Sequence, residues 1–293
     1  MNLLFITFGK NINIHSQAAF AIYSFLVYKH QVNSVNVITD APQYYQHLNE
    51  EVNIITISED LLSEWKGPHN FFWRIKIKAI EQLCNQYKGQ PVIYLDTDVF
   101  LFKDSKILKE SFLNSVAFMH EDEGVLSKAK SKTEKKMWHQ VASKTFGSIT
   151  VKESDSMWNA GVVAVPNSKN GKDISTALAI CDEMCAAGVT PRLIEQFALS
   201  LALDQYYTLK PASPFIAHYW SNKAEWDKEI TDFFSGCLFQ QLTQQQIIEL
   251  VKNYNFSKYP IKQLYRNTAI RLNKFINHVF APRNIEYVSK KQD

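Results

Sequence analysis

Pro91 to Phe102 reads Pro-Val-Ile-Tyr-Leu-Asp-Thr-Asp-Val-Phe-Leu-Phe, the most apolar short run in the chain, interrupted by two carboxylates. Val92 to Leu95 show no apolar–polar alternation, so they read as a strand buried on both faces. A strand of that kind belongs to a sheet covered by helices on each side, the α/β class. In open α/β sheets ligands bind outside the carboxyl ends of the strands, and Asp96 and Asp98 fall there. Two carboxylates flanked by apolar residues are costly to bury unpaired. A divalent cation is their simplest partner, and oxygen ligands suit Mg²⁺ or Mn²⁺. The competing reading is a strand-end turn in which the two Asp side chains accept backbone N–H bonds. The apolar residues on both sides weigh against it.

The rest of the chain supports alternation of strands and helices. Leu3 to Phe8 reads as a first strand, Ala18 to Tyr28 as a helix, Val35 to Thr39 as a second strand ending in Asp40, and Val52 to Ile57 as a third. Phe71 to Cys84 reads as a helix feeding the strand at 92. Asn159 to Val165 is a further apolar strand, followed by helices at Ile174 to Ala187 and Arg192 to Leu203. This order predicts a mostly parallel sheet flanked by helices. Residues 121–156 are polar and charged and read as a solvated helix with connecting loops. In 260–280 the apolar positions, among them Phe275, Ile276, Val279 and Phe280, recur at helical spacing and define one face.

Charge is unevenly spread. From Lys252 to Asp293 nine Lys or Arg stand against two acids, a charge of +7, which leaves −4 on the first 251 residues of a chain whose net charge is +3. A near-neutral body argues against nucleic-acid binding, while the basic tail suits an anionic partner or a membrane surface. Cys84, Cys181, Cys185 and Cys237 form no C-x-x-C pair, and reduced thiols fit a cytoplasmic protein. No apolar run approaches the roughly 20 residues of a spanning helix. The expectation is a soluble protein of two parts: an α/β domain over 1–235, which holds the candidate site, and a helical basic extension over 236–293.

The motifs resemble those of the GT-A glycosyltransferases, most closely the retaining glycosyltransferase family 8. The family's Tyr-Leu-Asp-x-Asp is Tyr94 to Asp98 here, its Asn-Ala-Gly-Val is Asn159 to Val162, and its upstream Arg-Leu-Lys-Leu is Arg74-Ile75-Lys76-Ile77. Its Asp-Gln pair is matched by Glu195-Gln196. Its late His-Phe-x-Gly-x-x-Lys-Pro-Trp is matched by His218-Tyr219 and Trp226, with Ser221 in place of Gly and Lys223 one position early. These matches span about residues 1 to 226 in the family's order.

The resemblance implies a GT-A, Rossmann-like fold and transfer of a hexose from a nucleotide-sugar, a UDP-sugar by preference, to a glycan or lipid-linked acceptor with retention. It implies a metal, Mn²⁺ or Mg²⁺, held by Asp96, Asp98 and His218, an imidazole ligand favouring Mn²⁺. It implies donor contacts from Asp96, Thr97, Asn159 and Gly161, and places Gln196 beside the anomeric carbon with Glu195 on sugar hydroxyls. Thr7, Gly9 and Asp40 end the first two strands, where a base and ribose would lie, and Arg74 and Lys223 could reach the donor's phosphates or hydroxyls. Arg74 and Lys76, two apart on a helix, cannot face one point, and Arg74 is the preferred donor clamp. Glu195 is an alternative base for an inverting reaction. Among the tryptophans that could stack on a sugar or base, Trp158 ranks ahead of Trp73 and Trp220 because it abuts Asn159. The tail suggests peripheral membrane contact on the inner face of a membrane, against packing of its apolar face on the domain.

Three other readings compete. A haloacid-dehalogenase-like phosphatase also places D-x-D after an apolar strand, but near the start of its domain and with Thr following. A nucleotidyltransferase calls for a Gly-rich phosphate loop, which Thr7-Phe8-Gly9-Lys10-Asn11 does not provide. A catalytically silent GT-A domain that binds sugars or partners is the third.

Overall fold

A computed structural model describes residues 1–48, 50–167 and 171–263, and beyond them only Thr268, Leu272, Phe275, Ile276, Val279 and Phe280. Of the expected amphipathic helix over 260–280, residues 264–267, 269–271, 273–274 and 277–278 lie outside the described residues. The first half of the chain contains β1 (Asn2–Thr7), α1 (Ile12–Leu26), β2 (Ser34–Thr39), β3 (Asn53–Thr56), α2 (Glu59–Lys66), α3 (Arg74–Gln86), β4 (Val92–Leu95) and β5 (Val99–Leu101). Next come α4 (Lys106–Phe112), β6 (Val116–Val125), α5 (Lys132–Val141) and a hairpin of β7 (Thr145–Phe146) with β8 (Ile149–Thr150). The remainder is β9 (Ser156–Val165), α6 (Lys172–Ala186), α7 (Ile194–Tyr206), β10 (Thr208–Pro211), β11 (Ile216–His218), α8 (Lys223–Phe239) and α9 (Gln244–Lys252).

The main sheet has the order β10-β6-β9-β4-β1-β2-β3. β9 runs antiparallel to both neighbours, and the other pairings are parallel. β4 is buried on both faces, as its continuous apolar run predicts: Val92 and Tyr94 enter one core cluster, Ile93 and Leu95 the other. The first cluster lies under α3, α6 and α7, and the second under α1 and α8. This is the expected α/β architecture, a mostly parallel sheet flanked by helices. α8 runs unbroken through residue 236, and Cys237, Ile247, Ile248 and Val251 join the second cluster. No helix among the described residues is long and apolar enough to cross a membrane.

The stretch 121–156 departs from expectation. β6 continues as a strand through Val125 and pairs with Ser156 to Asn159 of β9, with register shifts after Met119 and Asp122. Its charged residues read as solvated because the far end of this ribbon leaves the core, yet the strand persists through its ladder with β9. The solvated helix is present as α5, capped by the Ser131 side chain.

Candidate active site

Two strand pairings meet at the Asp-Thr-Asp turn. β4 pairs with β9 so that Leu95 lies opposite Val162, and the Asp96 N–H donates to the Gly161 carbonyl at 2.8 Å. β5, immediately after the turn, pairs antiparallel with β11, setting His218 opposite Val99; the Tyr219 N–H donates to the Asp98 carbonyl at 3.0 Å. One short turn thereby gathers residues separated by more than a hundred positions. Ligand atoms of Asp96, Asp98 and His218 all lie within 4.8 Å of one another. Asp98 and His218 are buried and Asp96 half-buried.

His218 Nε2 lies 3.4 Å from Asp98 Oδ2 and 3.9 Å from Asp96 Oδ2. Its Nδ1 faces Asn159 Oδ1 at 3.1 Å, and that same oxygen accepts from the Gly161 N–H at 3.0 Å. The amide oxygen accepts only, so Nδ1 carries a proton and donates to it, which leaves Nε2 as the ring atom turned to the carboxylates. Nε2 is the atom that would ligate a metal, with the ring held by a neighbour behind it. Asn159 thus orients the imidazole. Gly161 is required for a related reason: a Cβ on it would sit 2.3 Å from His218 Cε1.

Lys223, the first residue of α8, places Nζ 2.9 Å from Asp98 Oδ2. Burial alone would raise the Asp98 carboxyl, but the hydrogen bond and charge of His218 and the ammonium of Lys223 hold it well below the usual carboxylate range. Asp98 is therefore charged at neutral pH, with the hard-oxygen character suited to a divalent cation. The donor set of two carboxylates and one imidazole fits Mn²⁺.

The helical pair before the turn resolves opposite to expectation. Arg74 turns to α6, where Nε and Nη2 bind the Asp182 carboxylate at 2.6 and 3.0 Å and Nη1 donates to the Trp65 carbonyl at 2.9 Å. It does not reach the site. Lys76, a partial turn further on, is buried under it: Nζ lies 2.8 Å from Glu195 Oε1, 3.4 Å from Asp96 Oδ1 and 3.1 Å from the Ala160 carbonyl. The contact to Glu195 is an ion pair not aligned as a hydrogen bond. Burial would lower the Lys76 ammonium, but Asp96 and Glu195 outweigh it and push it up. Glu195 is raised by burial, which its attraction to Lys76 only partly offsets. One ammonium serves two carboxylates, and Glu195, 7% exposed, is the less compensated. Held in this way, it is poorly placed to serve as the freely accessible base of the inverting alternative.

Gln196, next on α7, donates from Nε2 to Glu123 Oε2 at 2.8 Å, and its Oε1 accepts a long bond from the Ala160 N–H at 3.4 Å. Glu123 Oε1 also accepts from Asn159 Nδ2 at 3.1 Å. Glu123 is thus a site residue that sequence reasoning missed, hidden in the stretch read as solvated. Its place beside Asn159 comes from the pairing of β6 with β9. Thr97 donates to Gln17 at 2.9 Å. Thr7 is buried, giving its hydrogen to Thr39 Oγ1 and accepting from Tyr45. Gly9, at φ 76°, and Asp40 are joined by a 2.8 Å bond from the Gly9 N–H to Asp40 Oδ1 on the exposed strand-end loops.

Two clefts adjoin the cluster. The larger, about 290 Å³, runs from Asp96, Thr97, Asp98 and Lys223 to the apolar side chains of Phe8, Ile14 and Phe72, with Thr7 in its wall. The smaller, about 160 Å³, is bounded by Asn159, Gln196, His218 and Arg192. Trp73, Lys76 and Asp96 line both. Trp158, ranked first by adjacency, instead packs on the core, and its backbone N–H donates to Ser200 Oγ. Adjacent strand residues point to opposite faces, which is why proximity to Asn159 in sequence misled.

No protein-family model matches this sequence, and no curated protein matches it. Solved structures do resemble it. The galactosyltransferase LgtC, determined with donor and acceptor sugar analogues, shares 12% identity at a TM-score of 0.48, with 89% of this chain and 98% of that chain covered. Mouse xyloside xylosyltransferase 1 shares 12% at 0.44, covering 72% and 85%. The glycosyltransferase GlyE of Streptococcus pneumoniae TIGR4 shares 15% at 0.47, covering 90% and 65%.

Proposed function

We propose that this protein is a metal-dependent glycosyltransferase that moves a hexose from a nucleotide-sugar, UDP-linked by preference, to an acceptor. The observation that carries the reading is the Asp96–Asp98–His218 cluster at the carboxyl end of β4, where two clefts join. Asp96, Asp98 and His218 would hold Mn²⁺, which would supply positive charge for a departing diphosphate. Lys223 adds a second positive charge beside Asp98. The apolar end of the larger cleft suits a base, the junction of the two clefts at Asp96 suits the donor sugar, and the polar smaller cleft suits an acceptor sugar.

The remaining residues divide the work. Lys76 holds the Asp96 and Glu195 side chains together by pairing with both. Glu123 fixes the amides of Asn159 and Gln196, so that Gln196 faces the donor sugar in one orientation. Asn159 sets the orientation of the His218 ring. A front-face reaction with retention needs no side-chain base, which agrees with Glu195 being committed to Lys76.

Calorimetry of UDP with and without Mn²⁺ tests the reading. UDP affinity is expected to depend on the metal and to fall by more than about tenfold in Asp98→Ala, since an incomplete ligand set loses the cation. Equal affinity in EDTA would refute the metal site. Failure of any Mn²⁺-loaded nucleotide-sugar to be hydrolysed or transferred would favour the silent binding module.

A further inference from the structure

We infer that the smaller cleft takes an acceptor carrying an anionic oxyacid group, with Arg192 as the residue that selects for it and Trp73 as the face on which its sugar ring lies. The inference rests on the donor reading above and extends it to the second substrate.

Charge pairing within the cleft isolates Arg192. Lys76 is matched by Asp96 and Glu195, and both Glu123 oxygens accept from the Asn159 and Gln196 amides. Of the charged side chains lining this cleft, Arg192 alone has neither hydrogen bond nor ion pair among the described residues. A guanidinium offers a planar fork that matches a carboxylate or phosphate with two parallel bonds. The donor's own phosphates do not explain it, because they belong beside Asp98 and Lys223 in the larger cleft, which Arg192 does not line.

The backbone presenting Arg192 is constrained. It sits in the single 3-10 turn Pro191–Leu193, whose first residue has a fixed φ. Just before it, the Thr190 N–H and hydroxyl both donate to Gln140 Oε1, at 2.9 and 2.8 Å. The turn leads directly into the first turn of α7, which bears Glu195 and Gln196. A cation mounted in this way loses less freedom on capturing a ligand than one on a mobile loop.

Trp73 supplies the second element. It is 48% exposed, lines both clefts, and is braced by Phe72 at 5.3 Å in an edge-to-face contact. A large aromatic left half in water beside a polar cleft offers one apolar face with a polar surround, the pattern of a ligand site. A sugar lying on that face directs its substituents to the cleft rim, where Arg192 stands. Glu123 adds negative charge on the same rim, but its oxygens already accept two amide bonds, so the guanidinium remains the group open to an anion.

The test uses the full chain and three probes: methyl β-glucoside, methyl β-glucuronide and glucose 6-phosphate, followed by saturation-transfer NMR titration with and without UDP and Mn²⁺. One or both anionic probes are expected to bind at least about tenfold tighter than the neutral one, the difference a charge-assisted bidentate contact provides. The carboxylate and phosphate arms tell which oxyacid the site prefers. In Arg192→Gln the preference is expected to vanish while UDP·Mn²⁺ affinity stays within about twofold; in Trp73→Ala all three probes are expected to weaken together. Equal binding of all probes to the wild-type protein, no binding of any, or a preference that survives Arg192→Gln overturns the inference. Loss of UDP·Mn²⁺ binding in the wild-type protein would instead overturn the donor reading, independently of the probe arms without nucleotide.

Discussion

Gly161→Ala is the smallest change expected to disable the cluster without touching a ligand. The added methyl would lie 2.3 Å from His218 Cε1, 2.4 Å from Nδ1 and 3.0 Å from Nε2. Carbon atoms in good contact stand about 3.5 Å apart, so the ring must withdraw by about 1 Å. It cannot do so freely. Nδ1 is tied to Asn159 Oδ1 at 3.1 Å, and the ring of buried His120 packs edge-to-face against it at 5.0 Å between centroids. Forcing atoms into a packed site costs about 1–3 kcal/mol of stability. Misorienting a metal-binding imidazole weakens affinity by about 10- to 100-fold, the range for disturbed groups around metal ligands. Isothermal titration of Mn²⁺ in the presence of UDP reads the affinity, and urea unfolding in EDTA reads the stability. The double variant Gly161→Ala, His218→Ala separates the causes: removing the ring removes the clash, so the stability cost of Gly161→Ala is expected to shrink in that background. A folded Gly161→Ala protein with wild-type Mn²⁺ affinity would refute the reasoning, as would a stability cost that is unchanged when His218 is absent.

Three further outcomes are expected. Arg74→Ala removes a bidentate pair and a carbonyl contact, and with Asp182 one-third exposed the loss is discounted to about 2 kcal/mol; UDP affinity is expected to stay within about twofold, and a larger loss seen in nucleotide titration would return Arg74 to the site. Gln196→Ala is expected to lower turnover by about a hundredfold with little change in UDP affinity, and near-normal kcat would remove it from the reacting centre. His120 is held down to about 4 from 6.5, first by burial and then by the charge of His218. Between those values the unfolded chain binds the extra proton, so this stability is complete above pH 6.5 and is lost as pH falls toward 4, about 3 kcal/mol in all. Glu195, with its carboxyl raised, acts in the opposite sense, favouring the folded state at low pH. The difference between wild-type and His120→Leu unfolding free energies, measured in EDTA from pH 7.5 to 4.5, isolates the His120 part, and a difference that does not change with pH would contradict it.

Much of this was legible in order and period. The unbroken apolar run of β4 determined a strand buried on both faces, because a side-chain period of two leaves no polar position when both faces are covered. The alternation of strands and helices determined a mostly parallel sheet, and the D-x-D followed β4 to the sheet's carboxyl edge. The tertiary structure decided which side chains work there. Arg74 and Lys76 lie on different sides of one helix, as their spacing requires, but only the position of Asp182 on α6 and Glu195 on α7 determines which faces the site. Trp73 rather than Trp158 lines the clefts because Trp158 points from β9 to the core. Glu123 joins the site because β6 extends beyond its apolar half, held by β9 on its flank. Asn159 and Gly161 serve His218, 59 positions from Asn159 along the chain. Local sequence records polarity and period, whereas these assignments depend on contacts between distant segments, and those exist only once the antiparallel β9 and β11 have closed on the turn at Asp96–Asp98.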